Sequence, residues 1–229
     1  VSASAPGGFL SRFNAFEGRG GNDQIFGNGA TRAEYTGASD GVTVDLDAGM
    51  AWGNESVGTD MLSGVSQIRG SSFVDTFFGS QFDDSFDGRA GNDQINGRGG
   101  FDRADYAFNG PASVGLMVNL AAGTVVGDPA FSGTDSLSSI EEIRGTHLAD
   151  TYNAIGFFGS FGTLNEFEGM AGNDTVIGNG NTRLTFVSAR EGVSVDLQAG
   201  EVVGGASVGH DTLMGGINQM RGSGFDDTL

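Results

Sequence analysis

Hydrophobic and polar residues alternate in three segments of the chain that have nearly the same sequence. The segments are GVTVDLDAG, GLMVNLAAG and GVSVDLQAG, at residues 41–49, 115–123 and 192–200. Alternation with a period of two places successive side chains on opposite faces of an extended backbone. In the first segment Val42, Val44 and Leu46 share one face. The pattern predicts a strand at an equivalent place in each of three repeats, with Val193, Val195 and Leu197 on the corresponding face of the third.

Apolar residues recur at every third position in a second type of segment. This spacing occurs at Leu62, Val65 and Ile68 and again at Leu137, Ile140 and Ile143. It favours short strands broken by tight bends, and an amphipathic helix is the alternative interpretation. Gly64 and the pair Gly215-Gly216 argue against the helix, because glycine destabilises a helix interior.

The chain consists of three copies of a unit of about 75 residues. The copies span approximately residues 9–78, 79–153 and 154–229, and each contains in order G-N-D, the alternating strand, G-T-D or G-H-D, and I-R-G or M-R-G. A unit of this kind cannot bury its apolar face alone, so stacking must supply the core. We therefore predict an all-β fold, a right-handed parallel β-helix or β-roll solenoid that is continuous over residues 1–229.

Residues 70–105 divide into four nonapeptides without a break. Their sequences are GSSFVDTFF, GSQFDDSFD, GRAGNDQIN and GRGGFDRAD. Each begins with glycine and has aspartate at its sixth place and an apolar residue at its eighth. The apolar residues are Phe77, Phe86, Ile95 and Ala104, and they are predicted to point inward from short strands.

This spacing suits a calcium-binding turn. Glycine allows the positive φ angles that direct backbone carbonyls toward a common point. Aspartate adds a hard anionic oxygen, and Ca2+ takes six to eight oxygen ligands. The alternative is an ordinary Asx-type turn, which is common wherever a chain reverses. The occurrence of four consecutive nonapeptides in one register favours the calcium-binding turn over the ordinary Asx-type turn.

The nonapeptides resemble the RTX family of haemolysin-type calcium-binding repeats, with the motif G-G-x-G-x-D-x-U-x. The resemblance implies a β-roll in which two nonapeptides make one coil and ions lie between turns two repeats apart. Asp75 would then pair with Asp93, and Asp84 with Asp102. The residues that the resemblance marks as metal ligands are Asp23, Asp75, Asp84, Asp93, Asp102, Asp150, Asp174 and Asp227, with the turn residues Gly88, Ala90, Gly91, Gly97, Gly99 and Gly100.

Some turns depart from the family motif. Phe73 and Phe82 stand at the fourth place, where the family has glycine. Where Asp84 and Asp102 stand in the middle copy, the first copy has Asn14 and Arg32 and the third has Asn165 and Arg183. One hypothesis is that the guanidinium replaces the ion in the outer copies, and the other is decay of a redundant turn.

Charge and composition narrow the class of partner. The chain has 29 acidic residues against 11 basic ones, all arginine, and a formal charge of −18. This excess disfavours nucleic acid and anionic membranes and favours cations. The 42 glycines come with only 3 prolines and with 18 phenylalanines, enough apolar material for a core. Because the chain has no cysteine, bound metal is expected to provide the stabilisation that disulfides give to other extracellular folds. No apolar stretch is long enough for membrane insertion.

Other candidate chemistry is weak. His147 and His210 occupy non-equivalent places in the repeat and are interpreted as surface residues. Asp45 and Asp196 suggest a carboxylate pair of the kind that cleaves glycans, but Asn119 replaces them in the middle copy, which indicates a structural role. A sugar-stacking platform would need several aromatic side chains, and the only candidates besides phenylalanine are Trp52, Tyr35, Tyr106 and Tyr152. This is weak support for carbohydrate binding. We predict no catalytic residue.

These observations predict a non-catalytic, calcium-binding module found outside the cell or on the bacterial surface. The resemblance to RTX proteins implies type I secretion, folding coupled to Ca2+, and a structural or adhesin role within a larger protein. Neighbouring copies of the module or extracellular polysaccharide are the expected partners. The alternative is an accessory module of a secreted enzyme whose catalytic domain lies outside these residues. Neither end shows a polar cap, which favours a piece of a longer array.

Overall fold

A computed structural model describes residues 13–107 and 110–229, and within these ranges the chain contains strands and turns but no helix. The all-β prediction is therefore confirmed. No helix in the described part is available to cross a membrane. The portion of the predicted solenoid at residues 1–12 lies outside the described residues.

The described residues form 21 strands, most of them three residues long. They are β1 (Asn14–Phe16), β2 (Gln24–Glu34), β3 (Thr43–Asp45), β4 (Met50–Trp52), β5 (Thr59–Arg69), β6 (Thr76–Phe78), β7 (Ser85–Asp87), β8 (Gln94–Asn96), β9 (Arg103–Asp105), β10 (Met117–Asn119), β11 (Thr124–Val126), β12 (Thr134–Ser138), β13 (Glu142–Arg144), β14 (Thr151–Asn153), β15 (Asn165–Glu168), β16 (Thr175–Ile177), β17 (Thr182–Thr185), β18 (Ser194–Asp196), β19 (Glu201–Val203), β20 (His210–Leu213) and β21 (Ile217–Arg221).

One face of the solenoid, which we call the parallel sheet, contains only parallel pairings. Its order is β1, the second half of β2, the second half of β5, β7, β9, β13, β15, β17 and β21. Strands β2 and β5 are long enough to run from the other face into this one. The parallel solenoid predicted from the repeats is thus present.

The opposite face, which we call the mixed sheet, has a feature that the repeat pattern did not predict. Its parallel strands are interrupted by three antiparallel meanders, β3-β4-β5, β10-β11-β12 and β18-β19-β20. The alternating segments form the first strand of each meander. Each then turns back at a glycine with positive φ, namely Gly49, Gly123 and Gly200, a conformation that costs glycine little.

The apolar residues of the nonapeptides form the core between the two faces. Phe77, Phe86, Ile95 and Ala104 are all buried, as predicted, and the rings of Phe77 and Phe86 stack with centroids 6.0 Å apart. Leu197 is an exception to the predicted pattern. It follows the end of β18 and is 49% exposed, whereas the equivalent Leu120 of the middle unit is buried.

The segments with apolar residues at every third position are strands, so the helical alternative is wrong. In the first unit β5 spans the whole segment, with a register shift against β2 and a positive φ at Gly64. In the second unit the chain bends at Ser139, which has a φ of 49°, between β12 and β13. The bend carries the chain from one face of the solenoid to the other.

Candidate metal centre

The turns of the solenoid form two rows, one at each edge of the stack. In the first row the turns lead into strands of the mixed sheet, and in the second they lead into strands of the parallel sheet. The first row contains Asp23, Asp60, Asp75, Asp93, Asp135, Asp150, Asp174, Asp211 and Asp227. The second contains Asn14, Thr31, Asp84, Asp102, Glu141, Asn165 and Thr182.

Backbone-to-carboxylate hydrogen bonds connect successive turns within each row. The Asp75 amide donates to Asp93 Oδ1 at 2.9 Å, and in the second row the Asp84 amide donates to Asp102 Oδ1 at 2.8 Å. The structure therefore brings together both aspartate pairs that the RTX resemblance implies. The Asp150 amide donates to Asp174 in the same way, at 2.8 Å. Each such bond orients one carboxylate oxygen and leaves the other free to face the turn.

The turns fall into two conformational classes, the first of which we call open turns. They are Gly18–Asp23, Gly88–Asp93, Gly97–Asp102 and Gly169–Asp174. Each has a positive φ at its second residue and at the glycine in its fourth place, for example 67° at Arg89 and 140° at Gly91. Ala90 and Gly99 lie between such residues, so the predicted turn residues of the middle unit all belong to open turns. This alternation of backbone conformations forms a concave nest of main-chain groups that is typical of ion sites.

The second class, which we call closed turns, has serine or threonine at the second place. They are Gly70–Asp75, Gly79–Asp84, Gly145–Asp150 and Gly222–Asp227. In the first of them the Ser71 amide and hydroxyl donate to the two Asp75 oxygens at 2.7 and 2.8 Å. The Phe73 amide donates to the same hydroxyl at 3.0 Å. A turn held in this way needs no positive φ at its fourth place, which explains why Phe73 and Phe82 are accommodated there.

The open turns leave buried carboxylate oxygens without a hydrogen-bond donor. Among the described residues these oxygens are Oδ2 of Asp23, Asp60, Asp93, Asp102 and Asp174. Four of the five belong to the open turns, and Asp60 follows Asp23 in the stack. A buried oxygen of this kind is costly unless a partner satisfies it. The donor set therefore fits a hard cation such as Ca2+.

The opening glycine of an open turn makes room for this oxygen. A Cβ atom at Gly88 would lie 2.2 Å from Asp93 Oδ2, and one at Gly169 would lie 2.0 Å from Asp174 Oδ2. Any side chain at these places would therefore displace the carboxylate. The glycine at the first place of the motif is required by this contact and not by its own φ angle.

Burial without a positive partner raises the pKa values of these carboxyls. Desolvation, followed by the nearby Asp135 charge, raises the pKa of Asp93 to about 9. Desolvation also raises the pKa of Asp174 to about 9 and that of Asp102 to about 8. The carboxylate form is therefore disfavoured at these positions until a cation provides compensating charge.

These pKa values predict how calcium-free protein responds to pH. A carboxyl such as Asp93, with an ordinary pKa of 3.8 and a folded pKa of about 9, binds its proton more tightly when folded. Stability is therefore greatest near the lower value and is lost as the pH rises toward the higher one. We expect the unfolding temperature in EDTA to fall between about pH 5 and about pH 9. A rise over this range would contradict the assignment, and saturating calcium should remove the fall, because the ligands bind calcium when deprotonated.

Three further aspartates, which the repeat pattern did not predict as ligands, lie next to the open turns of the first row. Asp60, Asp135 and Asp211 follow the open-turn aspartates Asp23, Asp93 and Asp174 in the stack and accept their backbone amides at 2.9, 2.9 and 3.0 Å. In the middle unit Tyr106 also donates its hydroxyl to Asp135 Oδ2 at 2.8 Å. The recurrence of G-T-D or G-H-D in every unit was the pattern that marked them.

A metal ion at these turns would need backbone carbonyls for most of its ligands. In the described part of the chain no group of three or more histidine, cysteine, aspartate or glutamate side chains is arranged to hold a metal by side chains alone. His147 and His210 are exposed, as predicted. The Nε2 atom of His210 lies 3.2 Å from Oε2 of Glu201.

The hypothesis that arginine replaces the ion in the outer units is wrong. Strand register places Asn14 opposite Thr31 and Asn165 opposite Thr182, so threonine occupies the place of Asp102. Arg32 and Arg183 lie one residue further along, within the strands, where Arg103 stands in the middle unit. The turn before each of these arginines is one residue shorter than the Gly97–Asp102 turn of the middle unit. Sequence spacing therefore aligns arginine with Asp102, whereas the strand register aligns threonine with it.

The other chemistry considered from sequence has structural roles. Asp45 accepts two hydrogen bonds from Arg98, both at 2.7 Å, and Asp196 accepts backbone amides of its own turn. The three tyrosines of the supposed sugar platform are buried, whereas Trp52 is exposed. The tyrosines therefore cannot form a stacking surface with Trp52.

Comparison with protein-family models agrees with this geometry. A family model described as the RTX calcium-binding nonapeptide repeat matches four copies, at residues 13–30, 69–104 and 165–182. These segments contain all four open turns. A search of curated proteins finds no match. The chain thus carries RTX calcium-binding nonapeptide repeats, which bind Ca2+, in each of its three units.

Proposed function

We propose that this chain is a non-catalytic extracellular segment whose folding is coupled to calcium, and that it belongs to a larger type I-secreted protein such as an adhesin. The observation that carries the proposal is the buried, unpartnered carboxylate oxygen at the equivalent first-row open turn of every unit, at Asp23, Asp93 and Asp174. Three equivalent carboxylate oxygens without a donor in one stack favour a role in folding over a single functional site.

In each unit the open-turn aspartate and the next aspartate of the first row would hold one ion. Asp93 and Asp135 form this pair in the middle unit, with backbone carbonyls of Gly88, Ala90 and Gly91. Backbone carbonyls of Gly97, Gly99 and Gly100 would bind an ion together with Asp102 in the same way. The closed-turn aspartates Asp75, Asp84, Asp150 and Asp227 remain predicted ligands. Their oxygens already accept hydrogen bonds from their own turns, and a second lone pair stays available on each.

Bound calcium supplies the positive charge that offsets the buried carboxylates. In the low-calcium cytosol the stacked aspartates disfavour the compact state, which keeps the chain extended for export. Outside the cell the same carboxylates bind calcium, and the binding free energy adds to the stability of the solenoid. The folded segment would then act as a stiff spacer or as a surface for neighbouring copies or polysaccharide.

The midpoint of calcium-induced folding tests the export part of this proposal. Extracellular calcium modules bind with dissociation constants of about 10⁻⁴–10⁻³ M, and we expect a midpoint in this range because each site draws on few carboxylates. The measurement is a calcium titration in buffered chelator, followed by circular dichroism. A midpoint below about 10⁻⁶ M, in the range of cytosolic sensors, would mean that the chain folds before export and would overturn the proposal.

A further inference from the structure

The second residue of each open turn has a left-handed backbone conformation, although none of the four is glycine. The φ angles are 63° at Arg19, 67° at Arg89, 65° at Arg98 and 67° at Met170. This conformation is unfavourable for a residue that has a side chain, and it persists only where surrounding contacts hold it. The contacts of these four side chains therefore bear on what keeps each turn open.

Arg98 makes the strongest of these contacts, and they reach from the middle unit into the first. Its Nη1 and Nη2 atoms donate to the two carboxylate oxygens of Asp45, both at 2.7 Å. Nη1 also donates to the Gly79 carbonyl at 2.9 Å, and the guanidinium carbon lies 5.2 Å from the ring centroid of Phe78. A guanidinium that bonds both oxygens of a carboxylate fixes orientation as well as charge. The contact also holds the pKa of Asp45 below its usual value, so the pair is ionised at neutral pH.

The other three open turns are held more weakly at this place. The Arg89 guanidinium donates to the Thr36 carbonyl at 3.4 Å, which is a longer bond to a neutral acceptor. The Arg19 side chain is 83% exposed, and Met170 has no charge to pair. Of the four open turns, Gly97–Asp102 is therefore the one that a different unit holds through a two-bond ion pair.

The pair of Asp45 and Arg98, which we call the inter-unit pair, crosses one strand of the mixed sheet. Asp45 ends β3, Phe78 ends β6 and Asn96 ends β8, and strand register makes these three residues successive neighbours. Arg98 follows Asn96 by two residues, so its side chain extends back across β6 to reach β3. The open turn of the middle unit and the β3-β4 hairpin of the first unit are thereby tied together.

Between the middle and third units both partners of this pair are replaced. Register places Asn119 beside Asn153, and Asn153 beside Ile177, and the second place of the turn that follows is Asn179. That turn contains no aspartate, and the Thr182 hydroxyl closes it by accepting the Asn179 amide at 3.0 Å. Aspartate and arginine are thus lost together, and they are lost where the turn has no carboxylate for an ion.

We propose that Asp45 and Arg98 are positioning residues for calcium, and that the inter-unit pair holds the Gly97–Asp102 turn open so that the first unit sets the calcium affinity of a site in the middle unit. Neither side chain is a ligand, and Asp45 lies outside the segments that match the RTX repeat. The inference rests on the proposed function, which assigns an ion to this turn. By linkage, the bound ion stabilises the hairpin of the first unit in return.

Calcium release from the loaded chain into an excess of fluorescent chelator tests the inter-unit pair. In Asp45→Asn, which keeps the size of the side chain and removes its charge, we expect one ion to leave about tenfold faster than in the wild type, with the other ions unchanged. Arg98→Lys should give the same fast phase, because an ammonium group keeps the charge but cannot bond both oxygens in a fixed fork.

Asp196→Asn is the matched control. Asp196 has the same place in the third unit as Asp45 has in the first, and it accepts backbone amides of its own turn. In the described part of the chain no arginine forms an ion pair with it. Its release trace should therefore equal that of the wild type.

The outcomes separate this inference from the proposed function. A wild-type chain that releases no calcium would overturn both. Calcium release by the wild type with equal traces for Asp45→Asn and Asp196→Asn would overturn only the positioning role. A lower unfolding temperature of Asp45→Asn without a fast phase counts against it too, since a merely stabilising contact would give that result.

Hydrogen exchange of the wild-type chain decides the matter if the variants do not fold. At about pH 6 the carboxyl of Asp93 keeps its proton and the calcium-free chain is more stable. Under this condition, added calcium should slow amide exchange in the first-unit hairpin, residues 43–52, more than in the third-unit hairpin, residues 194–203. Equal slowing in the two hairpins would overturn the positioning role.

Discussion

Removing calcium at about pH 8 will abolish most of the β-sheet circular dichroism of this chain, and adding calcium back will restore it. The physical reason is that folding buries aspartate oxygens at Asp23, Asp93, Asp102 and Asp174 with no donor to satisfy them. At this pH a metal-free chain must either bury charge or take up protons on carboxyls such as Asp93, and both cost free energy. The measurement is a far-ultraviolet spectrum in EDTA followed by calcium titration.

Magnesium is the control for this experiment. It prefers near-ideal octahedral geometry and gives up its water reluctantly, so the same concentration should not restore the spectrum. An unchanged β-sheet spectrum in EDTA would show that the apolar core, built around Phe77, Phe86 and Tyr152, folds by itself. Calcium would then stabilise only the turns that bind it, and the proposal that folding is coupled to export would have to be abandoned.

Asp93→Asn will destabilise the calcium-bound chain strongly and will not destabilise the calcium-free chain in EDTA. With calcium, the substitution removes an anionic ligand from a site in the centre of the stack, and we expect a loss of about 3 kcal/mol or more. Without calcium, it removes a buried carboxyl whose charge is disfavoured, so the unfolding temperature should stay constant or rise. Thermal unfolding of the variant and the wild type in both buffers gives the comparison, at about pH 6, where the carboxyl of Asp93 keeps its proton and the calcium-free chain is more stable.

Asp128→Asn is the matched control for this substitution. Asp128 is also buried, but its carboxylate accepts the Ser113 amide and hydroxyl and the Ala130 amide. Its effect should therefore be smaller and equal in the two buffers. If Asp93→Asn and Asp128→Asn lose the same stability in calcium, Asp93 is not a ligand.

The repeat pattern was sufficient to predict the stacking of the nonapeptides. A nonapeptide repeat with a strand period of two places Phe77, Phe86, Ile95 and Ala104 inward, and all four are buried. The spacing of 18 residues between Asp75 and Asp93 likewise predicted neighbours in the stack, and a hydrogen bond joins them. These features depend only on local geometry, which recurs wherever the short motif recurs.

Which aspartates keep a free oxygen was decided by the conformation of each turn. Ser71 closes its turn on Asp75, whereas Arg89 with a positive φ opens the next one around Asp93. Both turns have glycine first and aspartate sixth, but they differ at the second and fourth places, with serine and phenylalanine in the closed turn and arginine and glycine in the open one. The second residue decides the conformation, because a hydroxyl at that place competes for the carboxylate.

The remaining site residues were decided by tertiary structure. Asp135 lies 42 residues after Asp93, and Glu141 lies 39 residues after Asp102, yet each accepts the backbone amide of its partner. A hairpin inserted between them lengthens the sequence without adding a layer to the stack of turns. A shortened turn shifts Arg32 by one residue in the same manner. Sequence alone therefore determined the motif, the core and the ion, whereas strand register decided which residues share each site, because register aligns hydrogen-bonded neighbours regardless of the chain length between them.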